Sequence, residues 1–80
     1  MTEDQAREAI RTALAEIAPE VDGASLDPAV PLQDQIDLDS MDFLSLVLRV
    51  NELTGIDIPE RDYPLLSSLD AGARYLARAG

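Results

Sequence analysis

The chain has 80 residues, with 16 Asp plus Glu against six Arg and no Lys, no His and no Cys, and a formal charge of −10. That balance excludes a DNA- or RNA-binding protein, because neutralising phosphate needs clustered cations. The missing residue types exclude a thiolate nucleophile, a Ser-His pair, a zinc site of the usual ligands and a disulfide framework, so any chemistry must be borrowed.

Thr2 followed by Gln5 fits a capping box, and Ala6, Ile10, Ala13, Leu14 and Ile17 recur at helical spacing. A first helix is predicted from about Glu3 to about Ala18, where Pro19 stops it. Residues 19–39 are rich in turn formers, yet Val21, Leu26, Val30, Leu32, Ile36 and Leu38 are spaced through them. A structureless connection of that length is unusual in a compact domain, so these residues predict a loop pinned to the core.

From Ser40 the pattern is helical again, with Phe43, Leu46, Val47, Val50 and Leu53 as an inward stripe until Thr54-Gly55 supplies a C-terminal cap. Ile58-Pro59-Glu60 starts a short helix that Pro64 is expected to limit to little more than a turn. Ser67 with Asp70 resembles a second capping box for a last helix through Leu69, Ala73, Leu76 and Ala77 to about Ala79. The expected fold is all-α, a four-helix bundle with three longer helices and one short one, spanning residues 1–80 as a single domain. No apolar run exceeds three residues, and Met1-Thr2-Glu3-Asp4 lacks the basic start of a signal peptide. These features predict a soluble, cytoplasmic protein with no membrane span. Repulsion among its like charges favours a monomer, and the acidic surface suits cationic protein partners.

The helix after Ser40 carries more apolar surface than one core face requires. Met41, Leu44 and Leu48 form a second row, displaced around the helix from the inward stripe. They are either covered by the long loop or form an exposed row ringed by Asp39, Asp42 and Glu52, the composition of a docking surface. The acidic stretch from Asp34 to Asp42 is not an EF-hand calcium loop, since the positions that need an oxygen ligand, Gly and Glu hold Ile36, Asp39 and Ser45. Asp37 and Asp39 could do acid-base work in principle, but no pocket-sized domain surrounds them. No metal site and no catalytic residue are assigned. Ser40 stands where the acidic segment meets the helix, a place for a helix cap or for an attachment point facing the free amides of the helix start.

Asp37-Leu38-Asp39-Ser40-Met41-Asp42 resembles the Asp-Ser-Leu attachment motif of acyl carrier proteins, with Met41 in place of the commoner Leu. Gly55-Ile56-Asp57-Ile58-Pro59-Glu60 is similar to that family's segment after its second helix, and Ser67-Ser68-Leu69 with Tyr75-Leu76 to its fourth helix. The resemblance covers nearly the whole chain. It implies that Ser40, next to Asp39, carries 4′-phosphopantetheine donated by coenzyme A through a separate phosphopantetheinyl transferase. The chain would then be no enzyme but a carrier, tethering acyl or aminoacyl groups as thioesters on a flexible arm that raises their local concentration. It also implies that Met41, Asp42, Leu44, Leu48 and Glu52 meet partner enzymes with basic patches, which load and process the cargo.

Several residues depart from the family pattern. Ser45 stands where many fatty acid carriers have Glu, Arg49 adds a positive charge one turn on, and Phe43 puts a bulky ring at an inward position. With Pro64 in the short helix, these favour a specialised carrier, for a secondary metabolite, an unusual acyl or an aminoacyl group, over housekeeping fatty acid synthesis; a discrete carrier of a polyketide or peptide synthetase system would look much the same. The alternative of a different class is an unmodified acidic helical module that docks through Met41, Leu44 and Leu48.

Overall fold

Thr2 opens the first helix. Its hydroxyl accepts the Gln5 amide at 3.1 Å while Gln5 Oε1 accepts the Thr2 amide at 2.9 Å, so two otherwise unpaired donors are satisfied reciprocally. In the computed structural model, which describes residues 1–79, this helix, α1, runs Glu3–Ile17 and buries Ala6, Ile10, Ala13 and Leu14. Ala18 is its half-in last residue, donating to the Leu14 carbonyl at 2.7 Å just before Pro19.

The segment after Pro19 is pinned as its apolar residues predict: Leu26, Leu32 and Leu38 are buried, with Val21 and Ile36 packed half-buried against them. It is more ordered than a loop, however. A 3-10 turn spans Gly23–Ser25, with Asp22 accepting the Ala24 amide, and a one-turn helix, α2, spans Leu32–Gln35. Elements of three or four residues are too short to leave a periodic signature, which is why the sequence reads as irregular there. The Gln35 side chain laces the segment together. It accepts from the Asp27 amide at 2.9 Å and donates to the Asp27 and Val30 carbonyls at 2.9 and 3.0 Å.

Helix α3 runs Ser40–Thr54 and ends on Gly55, whose φ of 73° is the left-handed conformation that favours Gly and lets its amide reach the Asn51 carbonyl. Leu46, Val47 and Val50 are buried and Phe43 half-buried. Leu53, expected inside, is exposed. Three residues past Val50 the helix has turned about 60° short of a full circle, which leaves Leu53 at the margin of the buried arc.

The third expected helix is a seven-residue 3-10 segment, Glu60–Leu66, that passes through Pro64 instead of ending there. Its last turn is closed by the Ser67 amide donating to the Pro64 carbonyl at 3.3 Å, so Pro64 contributes only an acceptor and its fixed φ suits the 3-10 geometry. Helix α4 runs Leu69–Ala79. Its cap is Ser68, not Ser67: the buried Ser68 hydroxyl accepts the Ala71 amide at 3.1 Å. Ser67 instead gives its carbonyl to the Leu32 amide at 2.7 Å, and the Asp70 amide donates to Pro28, tying the long segment to the start of α4.

The fold is all-α, and among the described residues there is no strand and no helix long and apolar enough to cross a membrane. Helix α1 packs against both α4 and α3. It comes near α4 at Gly72, where a Cβ would stand 2.7 Å from Ile10 Cδ1. Two ion pairs clasp the same helices from outside. Arg7 Nε reaches Asp70 at 3.0 Å, and Arg49 of α3 forks onto Glu16 of α1 at 2.7 and 3.1 Å.

Gly72→Ala gains about 1 kcal/mol of helix propensity but overpacks the contact at a cost of about 1–3 kcal/mol, so a net loss of about 1 kcal/mol is expected. In an Ile10→Val background, which removes the obstructing methyl, that loss should vanish; a urea-denaturation double-mutant cycle measures it. The Arg49 hydrogen bonds and charge hold the Glu16 carboxyl below its ordinary range. Stability from this clasp is therefore present above the unfolded carboxylate pKa and is lost as pH falls through the lower folded value. The stability difference between wild type and Arg49→Gln should be largest at neutral pH and should close below about pH 4, in denaturation midpoints taken across that range.

Candidate functional site

The site begins at a fixed point. Leu38 is buried, and its carbonyl accepts from Gln33 Nε2 at 3.4 Å, so the chain leaves the core there and turns into α3. Asp39 is extended, with φ −80° and ψ −179°, and serves as the N-cap: its Oδ1 accepts the Asp42 amide at 2.8 Å, and its carbonyl accepts the Phe43 amide at 2.9 Å. Ser40 is the first residue inside the helix and is exposed. The capping role open to Ser40 from sequence thus belongs to its neighbour, and the Ser40 hydroxyl is not needed for it.

Helix geometry leaves the first amides of α3 without intrahelical acceptors. Asp39 satisfies that of Asp42, so the amides of Ser40 and Met41 remain at the positive end of the helix dipole. An anionic ester on Ser40 would sit beside them, which is the fit the position offers to a phosphodiester. Two grooves, of about 400 and 260 Å³, lie elsewhere, one between Leu65 and α4 at Arg74 and Arg78, the other beside Arg11 and Val21.

Along α3 the second apolar row stands out from the surface. Met41 is 74% exposed, Leu44 39% and Leu48 48%, on the side away from Leu46, Val47 and Val50, so the long segment does not cover them. Asp42 is half-buried at the head of this face, and Glu52 is exposed at its far end. The structure therefore brings Asp39, Ser40, Met41, Asp42, Leu44, Leu48 and Glu52 onto one helix and its cap. Sequence reasoning missed Glu16, which reaches Arg49 from another helix; charges 33 residues apart leave no periodic signal that would pair them.

With no His or Cys in the chain, Ser40 has no imidazole or thiolate to activate it. Its exposure suits a residue acted on by another protein. Residues 8–76 match the family described as the phosphopantetheine attachment site. The chain is also 32% identical over 76 residues to an acyl carrier protein of Acidothermus cellulolyticus, covering 91% of this chain and 90% of that protein.

The division of labour at the helix start has a measurable consequence. Asp39→Ala should cost about 1 kcal/mol of stability through the lost cap, whereas Ser40→Ala should stay within about 0.5 kcal/mol of wild type. Thermal and urea unfolding of the two variants side by side give the comparison.

Proposed function

The chain belongs to the phosphopantetheine-attachment family of acyl carrier proteins, and from that premise we propose that Ser40 is the attachment residue and that α3 is the face read by partner enzymes. Members of the family are carriers, not enzymes, and bear a covalently attached 4′-phosphopantetheine. That group supplies a thiol, which this Cys-free chain lacks, on which acyl or aminoacyl cargo is held as a thioester.

The observation that carries the reading is the exposed position of Ser40 inside the first turn of α3, relieved of capping by Asp39. Asp39 acts here by fixing the helix start, which presents the Ser40 hydroxyl in one orientation to a transferase that brings coenzyme A and the catalytic groups. Met41, Leu44 and Leu48 offer apolar contact, and Asp42 and Glu52 the charges that basic patches recognise. Exposed charge pairs are worth under about 1 kcal/mol each, so partner choice rests on their summed pattern.

The chain works as one domain over residues 1–80 and as a monomer. Its pathway is a specialised one, polyketide or related, over housekeeping fatty acid synthesis. The half-buried Phe43 ring, packed on the core, supports this, because it occupies interior space that a long alkyl chain would need.

Intact mass after incubation with coenzyme A and a broad-specificity phosphopantetheinyl transferase tests the assignment. A gain of one phosphopantetheine in wild type and none in Ser40→Ala is expected. No gain in folded wild type, or an equal gain in Ser40→Ala, would overturn the assignment of Ser40; the first result would leave an unmodified docking module.

A further inference from the structure

Arg49 is the one cation on α3, one turn from Glu52. With that carboxylate it makes only a long ion pair. Its Nε and Nη2 are taken by Glu16 of α1 at 2.7 and 3.1 Å, and only Nη1 faces Glu52, at 3.6 Å. A two-point carboxylate fork fixes the plane of a guanidinium and leaves it little freedom to turn elsewhere. The Glu52 side chain keeps 67% of its surface in water.

From this geometry we infer that Glu16 is a positioning residue for partner recognition: it holds Arg49 toward α1, so that the pair with Glu52 stays long and that carboxylate remains largely exposed on the face of α3. The inference rests on the reading of α3 as the docking face. When Glu16 is removed, the nearest carboxylate to Arg49 is Glu52, three residues on, at a spacing where side chains of opposite charge pair on a helix. Closure of that pair would cancel one of the acidic charges a basic partner reads, with no change at Ser40 or in the apolar row. Glu16 would thus tune encounter and binding, not the attachment step.

Glu16→Gln and Arg49→Gln break the same bonds but change the net charge in opposite senses, so opposite shifts follow from charge alone. Positioning adds to this a shift in Glu16→Gln larger than that of a matched charge loss elsewhere on α1, because a freed Arg49 then masks Glu52.

Transferase kinetics at low ionic strength decide between charge alone and positioning, with Ser40 modification followed by mass and folding checked by circular dichroism. Glu16→Gln should raise the KM for the carrier about two- to fivefold at unchanged kcat. Arg49→Gln should lower it, and the double variant should return close to wild type. Glu8→Gln is the matched control, since it removes the same charge from α1 and opens the Arg11–Glu8 pair of 2.9 Å; its KM should shift less than that of Glu16→Gln. Equal KM in all variants, the same direction of change in Glu16→Gln and Arg49→Gln, or as large a shift in Glu8→Gln, would overturn the inference while modification at Ser40 stood. Failure of wild type to gain mass, or a gain in Ser40→Ala, would instead mark failure of the underlying reading.

Discussion

The near contact of α1 and α4 at Gly72 is the constraint on which the rest of the fold hangs. Ile10 fills the space a Cβ would take, so the two helices can lie this close with Gly at that position. The start of α4 is also the anchor of the long segment: the Leu32 amide donates to Ser67 and the Asp70 amide donates to Pro28, which ties residues 28–32 to that helix. Gln35 and Leu38 then carry the chain from that anchor to Asp39. The orientation of Ser40 is therefore set by packing between two other helices, through a succession of hydrogen bonds none of which involves Ser40.

Charge is distributed with a similar economy. Of the six Arg, Arg7 ties α1 to α4, Arg49 ties α1 to α3, and Arg11 pairs along α1 with Glu8. All three pairs lie at least partly in water and each adds little to stability. Arg7 meets Glu3, Asp4 and Asp70 together and Arg49 reaches Glu52 as well as Glu16, so each of these cations screens several acids, most closely where the contact is short. In a chain of net charge −10 the bulk field is attractive to cations whatever the pairing, and the pattern of free acids supplies the discrimination that bulk charge lacks.

The long helices were legible because burial imposes a period that sequence displays directly. Helix α3 begins and ends where Ser40 and Thr54-Gly55 place it, and Leu26, Leu32 and Leu38 pin the segment before it. What escaped was set by neighbours. Ser68 caps α4, its hydroxyl accepting from Ala71 and its carbonyl from Gly72, while the Ser67 carbonyl is engaged by Leu32, and Pro64 lies within the 3-10 segment as the acceptor that closes its last turn. Leu53 matched a stripe by counting yet fell beyond the edge of the arc the core covers. At the site, the motif residues and the second apolar row could be named in advance, whereas the exposure of that row, the Asp39 cap and the reach of Glu16 needed three-dimensional placement.

A small chain without catalytic side chains can serve as a carrier because covalent attachment removes the need for a pocket. Noncovalent retention would require enclosing the ligand and desolvating it, for which an 80-residue core has little room. A bond at one exposed hydroxyl transfers that task to chemistry done elsewhere, and the surface is left to meet several enzymes in turn. Such a surface works best when each contact is weak, since a tight complex would be slow to release. On the proposed reading of α3 as the docking face, Met41, Leu44 and Leu48 with the exposed carboxylates near them meet that requirement, while Leu46, Val47 and Val50 bury the opposite side of the same helix in the core.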